Sequence, residues 1–123
     1  MARGTLIAES LRVGTAIDAR IVVRRIERVR PTNRSAEQQS AGLPADWTLL
    51  FFEVDDEHAA PLANALAGAL GDFGWYVDFH TDEESFLVFA GRIFRYPKGD
   101  AAGRAEARAY ALSVGVPVAQ ADW

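Results

Sequence analysis

The sequence predicts an α+β domain, a ferredoxin-like antiparallel sheet with two helices on one face, extended by an N-terminal β-hairpin. Three observations carry that expectation. Residues 73–100 alternate aromatic and β-branched runs with turn residues, as a three-stranded meander does. Trp47–Val54 is a nearly unbroken apolar run of strand length. Each of these is followed by a stretch of helical spacing, opened by acidic residues and closed by glycine. The order from Trp47 onward is then strand, helix, strand, strand, strand, helix, which places helices against an antiparallel sheet.

Taken in order, Thr5–Leu11 is short, β-leaning and polar at alternate positions, and Val13-Gly14 offers a turn into Thr15–Val29. In that segment Ile17, Ile21, Val22, Ile26 and Val29 fit a helical stripe. The β-branched density of Ile21-Val22-Val23 favours a strand, and its spaced arginines suit a sheet edge. Pro31 ends it. Residues 32–45 carry one large apolar side chain, Leu43, so a mobile loop is expected there within a single domain spanning 1–123. Trp47–Val54 reads as the central strand, covered on both faces. Asp55-Asp56-Glu57 supplies a helix cap and first-turn acids, followed by Leu62, Ala65, Leu66, Ala69 and Leu70 on one face and Gly71 as the stop. Trp75, Val77 and Phe79 then alternate with Tyr76, Asp78 and His80, giving one apolar and one polar strand face. Thr81–Ser85 is a polar turn, Phe86–Phe89 an apolar strand, and Ala90-Gly91 a hairpin turn into Arg92–Tyr96. Pro97-Lys98-Gly99 breaks that strand, and Asp100 caps a second helix with Ala105, Ala109 and Leu112 as its buried positions. Gly115 and Pro117 end the helix, and the tail, Val116 to Trp123, either adds a short strand or packs Trp123 across the core.

Composition narrows the chemistry. A chain of 123 residues is long enough for a core without staples. It has no cysteine, which excludes disulfides, thiolate nucleophiles and cysteine-ligated metals. Leu6-Ile7-Ala8 is interrupted by Glu9 and Arg12, too short for a secretory leader, and no apolar run approaches the roughly eighteen residues of a membrane span. A cytoplasmic, non-membrane protein is expected, with no cofactor. The net charge of −4 hides blocks: +5 over residues 1–34, −10 over 46–84 and +3 over 92–108. The blocks fit either an electrically polar surface or strands of opposite sign lying side by side in one sheet.

The spellings Trp75-Tyr76-Val77-Asp78-Phe79 and Gly91-Arg92-Ile93-Phe94-Arg95-Tyr96-Pro97-Lys98-Gly99-Asp100 resemble those of small uncharacterised α+β proteins of high-GC bacteria. Twelve arginines against one lysine suit such a coding bias. The resemblance covers the last two-thirds of the chain and implies no activity and no site residue.

Three groups of residues could carry function. The first is acidic: Asp55, Asp56, Glu57 and His58 after one strand, and Asp78, His80, Asp82, Glu83 and Glu84 at the end of another. Asp55, Asp56, His58, His80 and Asp82 are the candidate ligands for a divalent ion, and His80 with Asp78 the candidate acid–base pair. A ferredoxin-like order leaves one strand between the two groups, about 10 Å, which an ion or a water could bridge. The second is basic and aromatic: Arg92, Arg95, Tyr96, Lys98 and Arg104 surround the start of the second helix and suit an anion. Net negative charge and Asp100 at the helix cap argue against nucleic acid. The third is aromatic surplus: if the sheet face opposite the helices bears Tyr76, Phe94 or Tyr96, it invites a protein partner or a homodimer. The resulting expectation is a non-enzymatic interaction or small-ligand-binding domain, immunity-like or a regulatory partner. The alternative is a small enzyme or metal-binding protein using His80, Asp78 and the Asp55–His58 cluster.

Overall fold

In the computed structural model, which describes residues 1–32, 36, 43–72, 74–121 and 123, six strands form one sheet. They are β1 (Ala2–Ile7), β2 (Val22–Val29), β3 (Trp47–Val54), β4 (Tyr76–His80), β5 (Glu84–Phe89) and β6 (Arg92–Pro97). Helix α1 (Ala59–Ala67) links β3 to β4, and α2 (Ala101–Ser113) follows β6. The α+β class and the meander of β4, β5 and β6 stand as expected. The left-handed Gly91, φ 69°, makes the tight turn between β5 and β6. Most of the 32–45 stretch read as a mobile loop lies outside the described residues.

The strand order is β2-β3-β1-β4-β5-β6, with every pair antiparallel, and it is not ferredoxin-like. Because β3 and β4 are both antiparallel to β1, they run parallel to each other with β1 between them. In a ferredoxin-like order that slot belongs to the strand after β4; here β5 pairs on the outer flank of β4 instead. The expected N-terminal hairpin is also absent, since β2 pairs with β3 and lies at the sheet edge. The connection explains why. A hairpin turn spans about two to five residues, whereas residues 8–21 pass the C-terminal end of α1, with Arg12 N–H on Ala69 O and Gly71 N–H on Ser10 O, both 2.8 Å. Leu11, Ile17 and Ile21 pack on the core along the way.

Helices α1 and α2 sit on opposite faces, which corrects the expectation of one. Alternate residues of a strand point to opposite sides of a sheet. On one side α1 packs Leu62, Ala63 and Leu66 against Phe52, Val54, Val77, Phe79, Phe86 and Val88. On the other, α2 packs Ala107 and Ala111 against Leu87, Phe89, Phe94 and Tyr96. The strand buried on both faces is therefore β5, whose Phe86, Leu87, Val88 and Phe89 are each at most 2 % exposed. On β3, by contrast, Leu49 and Phe51 stay half-buried.

Local details sort the same way. Asp100 caps α2 as read, Oδ1 accepting from the N–H groups of Ala102 and Gly103. Its buried stripe is Ala107 and Ala111, however, and Ala105, Ala109 and Leu112 are exposed. Small side chains are needed where the helix lies on aromatic strands: Tyr110 meets Phe89 at 5.0 Å and Phe94 at 5.4 Å. Asp55-Asp56-Glu57 does not cap α1. Those residues enter a 3₁₀ turn (Asp56–His58) with no side-chain cap bond, and Pro61 sits in the first turn of the helix, where its missing N–H costs nothing.

The charge blocks resolve largely into neighbouring-strand pairs. Arg24 and Arg3 meet Glu53, Arg28 meets Glu9, Arg30 meets Asp46 and Arg95 meets Glu84. Most are exposed, so each contributes little to stability.

Glu9 is the pair most tied into the fold. It accepts from the Thr48 N–H at 2.6 Å and hydroxyl at 2.8 Å, with Arg28 at 3.1 Å. Burial pushes its carboxyl up, but those bonds and Arg28 outweigh burial and hold Glu9 below the usual carboxylate range. A depressed carboxylate contributes stability that is present above its unfolded pKa and is lost as pH falls through its folded one. Glu9→Gln should thus be less stable than the parent at pH 7, and the gap should close as pH drops below about 4, the ordinary carboxylate range. Urea midpoints measured across pH would show it; a gap that ignores pH would mean the carboxylate's charge is not what Thr48 holds.

Candidate binding cleft

Helix α2 and the tail behind it cover only half of their face of the sheet. The tail turns back through a 3₁₀ segment (Val118–Gln120), buries Val116 and Ala121, and sets Trp123 edge-on to Tyr76 at 5.0 Å. Beyond Tyr76 neither α1 nor α2 lies over the face. There β1, β3 and β4 present Thr5, Ile7, Leu49, Phe51 and Asp78, all half-buried, because period-2 strands must point every second side chain this way.

Three cavities, of about 470, 340 and 170 Å³, adjoin along this face, and Asp78 lines all of them. The largest lies between β4, the end of β6 and the first turn of α2. It collects Asp78, His80, Tyr96, Lys98, Asp100 and Arg104, over a floor that includes Leu87. The second runs toward Arg3, Phe51 and Glu53, and the third toward Ile7, Trp47 and Trp75. Gly103 lets α2 close on this site, since a Cβ there would stand 2.7 Å from the Tyr96 Cβ. Burial pushes the Tyr96 phenol up, with Arg104 pulling against it and Asp78 and Asp100 reinforcing it. Tyr96 is therefore a neutral hydroxyl at physiological pH, able to donate and accept.

Of the residues singled out from sequence, Asp78, His80, Tyr96, Lys98 and Arg104 converge in the largest cavity. Two of the basic group do not. Arg92 lies over Phe94 at 4.8 Å and Tyr110 at 5.5 Å. Arg95 makes a two-bond pair with Glu84, at 2.6 and 2.8 Å, and stacks on Phe86, one of the residues packed with α1.

The candidate metal set is divided as well. Asp55, Glu57 and His58 bring ligand atoms within 4.8 Å of one another, and no group among the described residues adds His80 or Asp82 to them. Asp56 and Asp82 instead line a separate cavity of about 420 Å³ with Glu83, Glu84 and Arg95. One strand does separate β3 from β4, as anticipated, but it is β1, and the Met1 amino nitrogen at its start lies 2.8 Å from Asp56.

Sequence reasoning missed Arg3, Thr5, Ile7 and Glu53. The alternation Arg3, Thr5, Ile7 is a strand signal, but nothing in it places β1 beside β4. It also missed that Ser85 lies directly across from His80. Among the described residues His80 makes no hydrogen bond or ion pair, so it is joined neither to Ser85 nor to Asp78.

The fold and cleft define a class: an α+β protein whose described residues form a fully antiparallel six-stranded sheet, with α1 on one face, α2 on the other, and a mixed-charge cleft beside α2. Compared with protein-family models, curated proteins and solved structures, the chain matches none. Among the described residues no helix is long and apolar enough to cross a membrane.

Proposed function

We propose that the protein is a non-enzymatic, cytoplasmic small-ligand-binding domain, with the cleft beside α2 as its site. One observation carries the reading: five side chains chosen from sequence on chemical grounds alone meet in a single cavity of about 470 Å³, within the size range of small-molecule sites. Concavity, apolar floor and a few convergent polar groups are what such sites combine.

The test is a fragment screen by ¹⁵N-HSQC against the 123-residue chain, using carboxylates, amines, zwitterions and neutral aromatics. Hits should move the amides of Thr5, Asp78, Leu87 and Tyr96 as a group. A library whose members all leave those amides in place sinks the reading.

A small enzyme built on His80 and Asp78 is the second reading, and Ser85 opposite His80 favours it. A serine nucleophile needs a base within hydrogen-bond reach, and His80 makes no such bond among the described residues. Hydrolysis of p-nitrophenyl acetate that disappears in His80→Ala would reverse the choice. An immunity-like or regulatory protein partner, or a homodimer, would find its apolar contact on edge strand β2, where Ile26 is 66 % exposed. Solution mass reads the dimer directly.

A further inference from the structure

We propose that the protein forms a symmetric homodimer by pairing edge strand β2 with β2 of a second copy, in an antiparallel register centred on Ile26. The inference is independent of the ligand-binding reading, and it gives the homodimer one surface and one register. Among the described residues no strand pairs with the outer side of β2. That strand also carries the apolar side chains that the sheet leaves most in water: Ile26 is 66 % exposed, Val22 44 % and Val23 41 %.

Symmetry restricts how two such edges can meet. A closed pair of identical chains uses the same patch on both, and antiparallel edges are then related by a two-fold axis perpendicular to the sheet, which keeps each face continuous with the same face of the other copy. Some residue of β2 must therefore stand opposite its own counterpart. Residues directly opposite share a face, with Cβ atoms about 4.5–5.5 Å apart, and like charges there are destabilising. A centre at Arg24, Arg25, Glu27 or Arg28 sets like charges against each other, and a centre at a terminal valine leaves most of the strand unpaired. Ile26 is the remaining centre. There isoleucine meets isoleucine, Arg25 stands opposite the partner's Glu27, and Glu27 opposite the partner's Arg25. Arginine on an edge strand ordinarily discourages pairing; here it does so for every register but one.

The other charges are answered within each copy. Arg25 already pairs with Glu27 of its own strand and lies over the Phe51 ring at 4.9 Å, on the sheet face that Glu27 shares. Two such pairs placed head to tail make a ring of alternating charges. Arg24 and the partner's Arg28 approach in this register, but Arg24 is 3.3 Å from Glu53, and Arg28 donates to the Thr48 hydroxyl at 2.6 Å and lies 3.1 Å from Glu9. The bulge between Val23 and Arg25 falls outside the central segment Arg25–Glu27. Beyond it, Val22 and Val23 come alongside the partner's Val29.

The test is sedimentation velocity at pH 7 on the 123-residue chain and its variants. A strand pair is a small interface, so the parent should be half-dimeric near about 100 µM. Arg25→Glu and Glu27→Arg each set like charges opposite on both sides of the axis, and Ile26→Asp sets two carboxylates on it; each should need at least about tenfold more protein to dimerise. An equimolar mixture of Arg25→Glu with Glu27→Arg restores unlike charges at both places and should dimerise as the parent does. HSQC dispersion confirms that each variant folds. A parent still monomeric at about 1 mM, or a mixture no more dimeric than its two components, overturns the proposal. So does a dimer that all three substitutions leave unchanged, which would put the contact elsewhere. None of these positions lines the largest cavity, so that failure would leave the ligand-binding reading to its own test.

Discussion

Phe79→Ala is expected to lose about 3–5 kcal/mol of folding stability, the cost of emptying a large buried aromatic site. Phe79 is 1 % exposed and lies at the centre of the α1 side of the sheet. Its ring stacks on Phe86 with centroids 4.8 Å apart and planes 2° from parallel, and meets Phe52 edge-on at 6.0 Å. Three different strands, β3, β4 and β5, thus share one aromatic column. Truncation removes the transfer free energy of the ring and leaves a cavity that backbone held by strand pairing on both flanks of β4 cannot close. Since a domain of this size has roughly 5–15 kcal/mol in total, the variant should unfold at a far lower denaturant concentration with little change in slope. Equilibrium urea unfolding measures it. A loss under about 1 kcal/mol would mean that β4 turns its other face to the core.

Gly4→Val should be of comparable severity, at about 3 kcal/mol or more, for the opposite reason: too much volume. A Cβ on Gly4 would stand 2.5 Å from the Phe79 Cβ, 2.6 Å from the Asp78 carbonyl oxygen and 3.1 Å from the tip of Phe52. Two of those atoms belong to the neighbouring strand β4, and β1 is hydrogen-bonded on both flanks, so it cannot slide away. Gly4 is the gap through which Phe52 and Phe79 meet across the central strand. Gly4→Ala supplies a graded measurement should the valine variant fail to fold, and Gly68→Ala a control: there the added Cβ has nothing nearer than 3.7 Å. The control should stay within about 1 kcal/mol of the parent. Gly4→Ala with unchanged stability would place β1 somewhere other than between β3 and β4, and the topology would have to be redrawn.

Much of the local structure was legible in the residues. The β4–β5–β6 meander, the Gly91 turn, the Asp100 cap and the edge position of β2 follow from chemistry acting within a few residues. So does the burial of Trp75, Val77 and Phe79, since alternation alone says which side chains share a face. The five cleft residues Asp78, His80, Tyr96, Lys98 and Arg104 were also picked out, but as members of two unrelated groups. Their meeting in one cavity depends on α2 folding back over β5 and β6, which no spacing between Asp78 and Arg104 records.

By itself the sequence determined most of the elements: the strands from Trp47 onward, the Gly91 turn, the Asp100 cap and the apolar side of β4, whereas residues 15–29 fitted helix and strand alike. Burial on both faces was read from the run Trp47–Val54, and it is Phe86–Phe89 that holds that place. Only the tertiary structure decided the neighbours. The residues Ala2-Arg3-Gly4-Thr5-Leu6-Ile7 alternate in a way that suits an edge or a centre equally, and β1 becomes central only because Gly4 admits Phe52 and Phe79 on either side. Likewise the helices took opposite faces because β5 offers aromatic and aliphatic side chains to both. Pairing and layering are settled by contacts between residues far apart in the chain, where periodicity tells which face a side chain takes and not what will cover it.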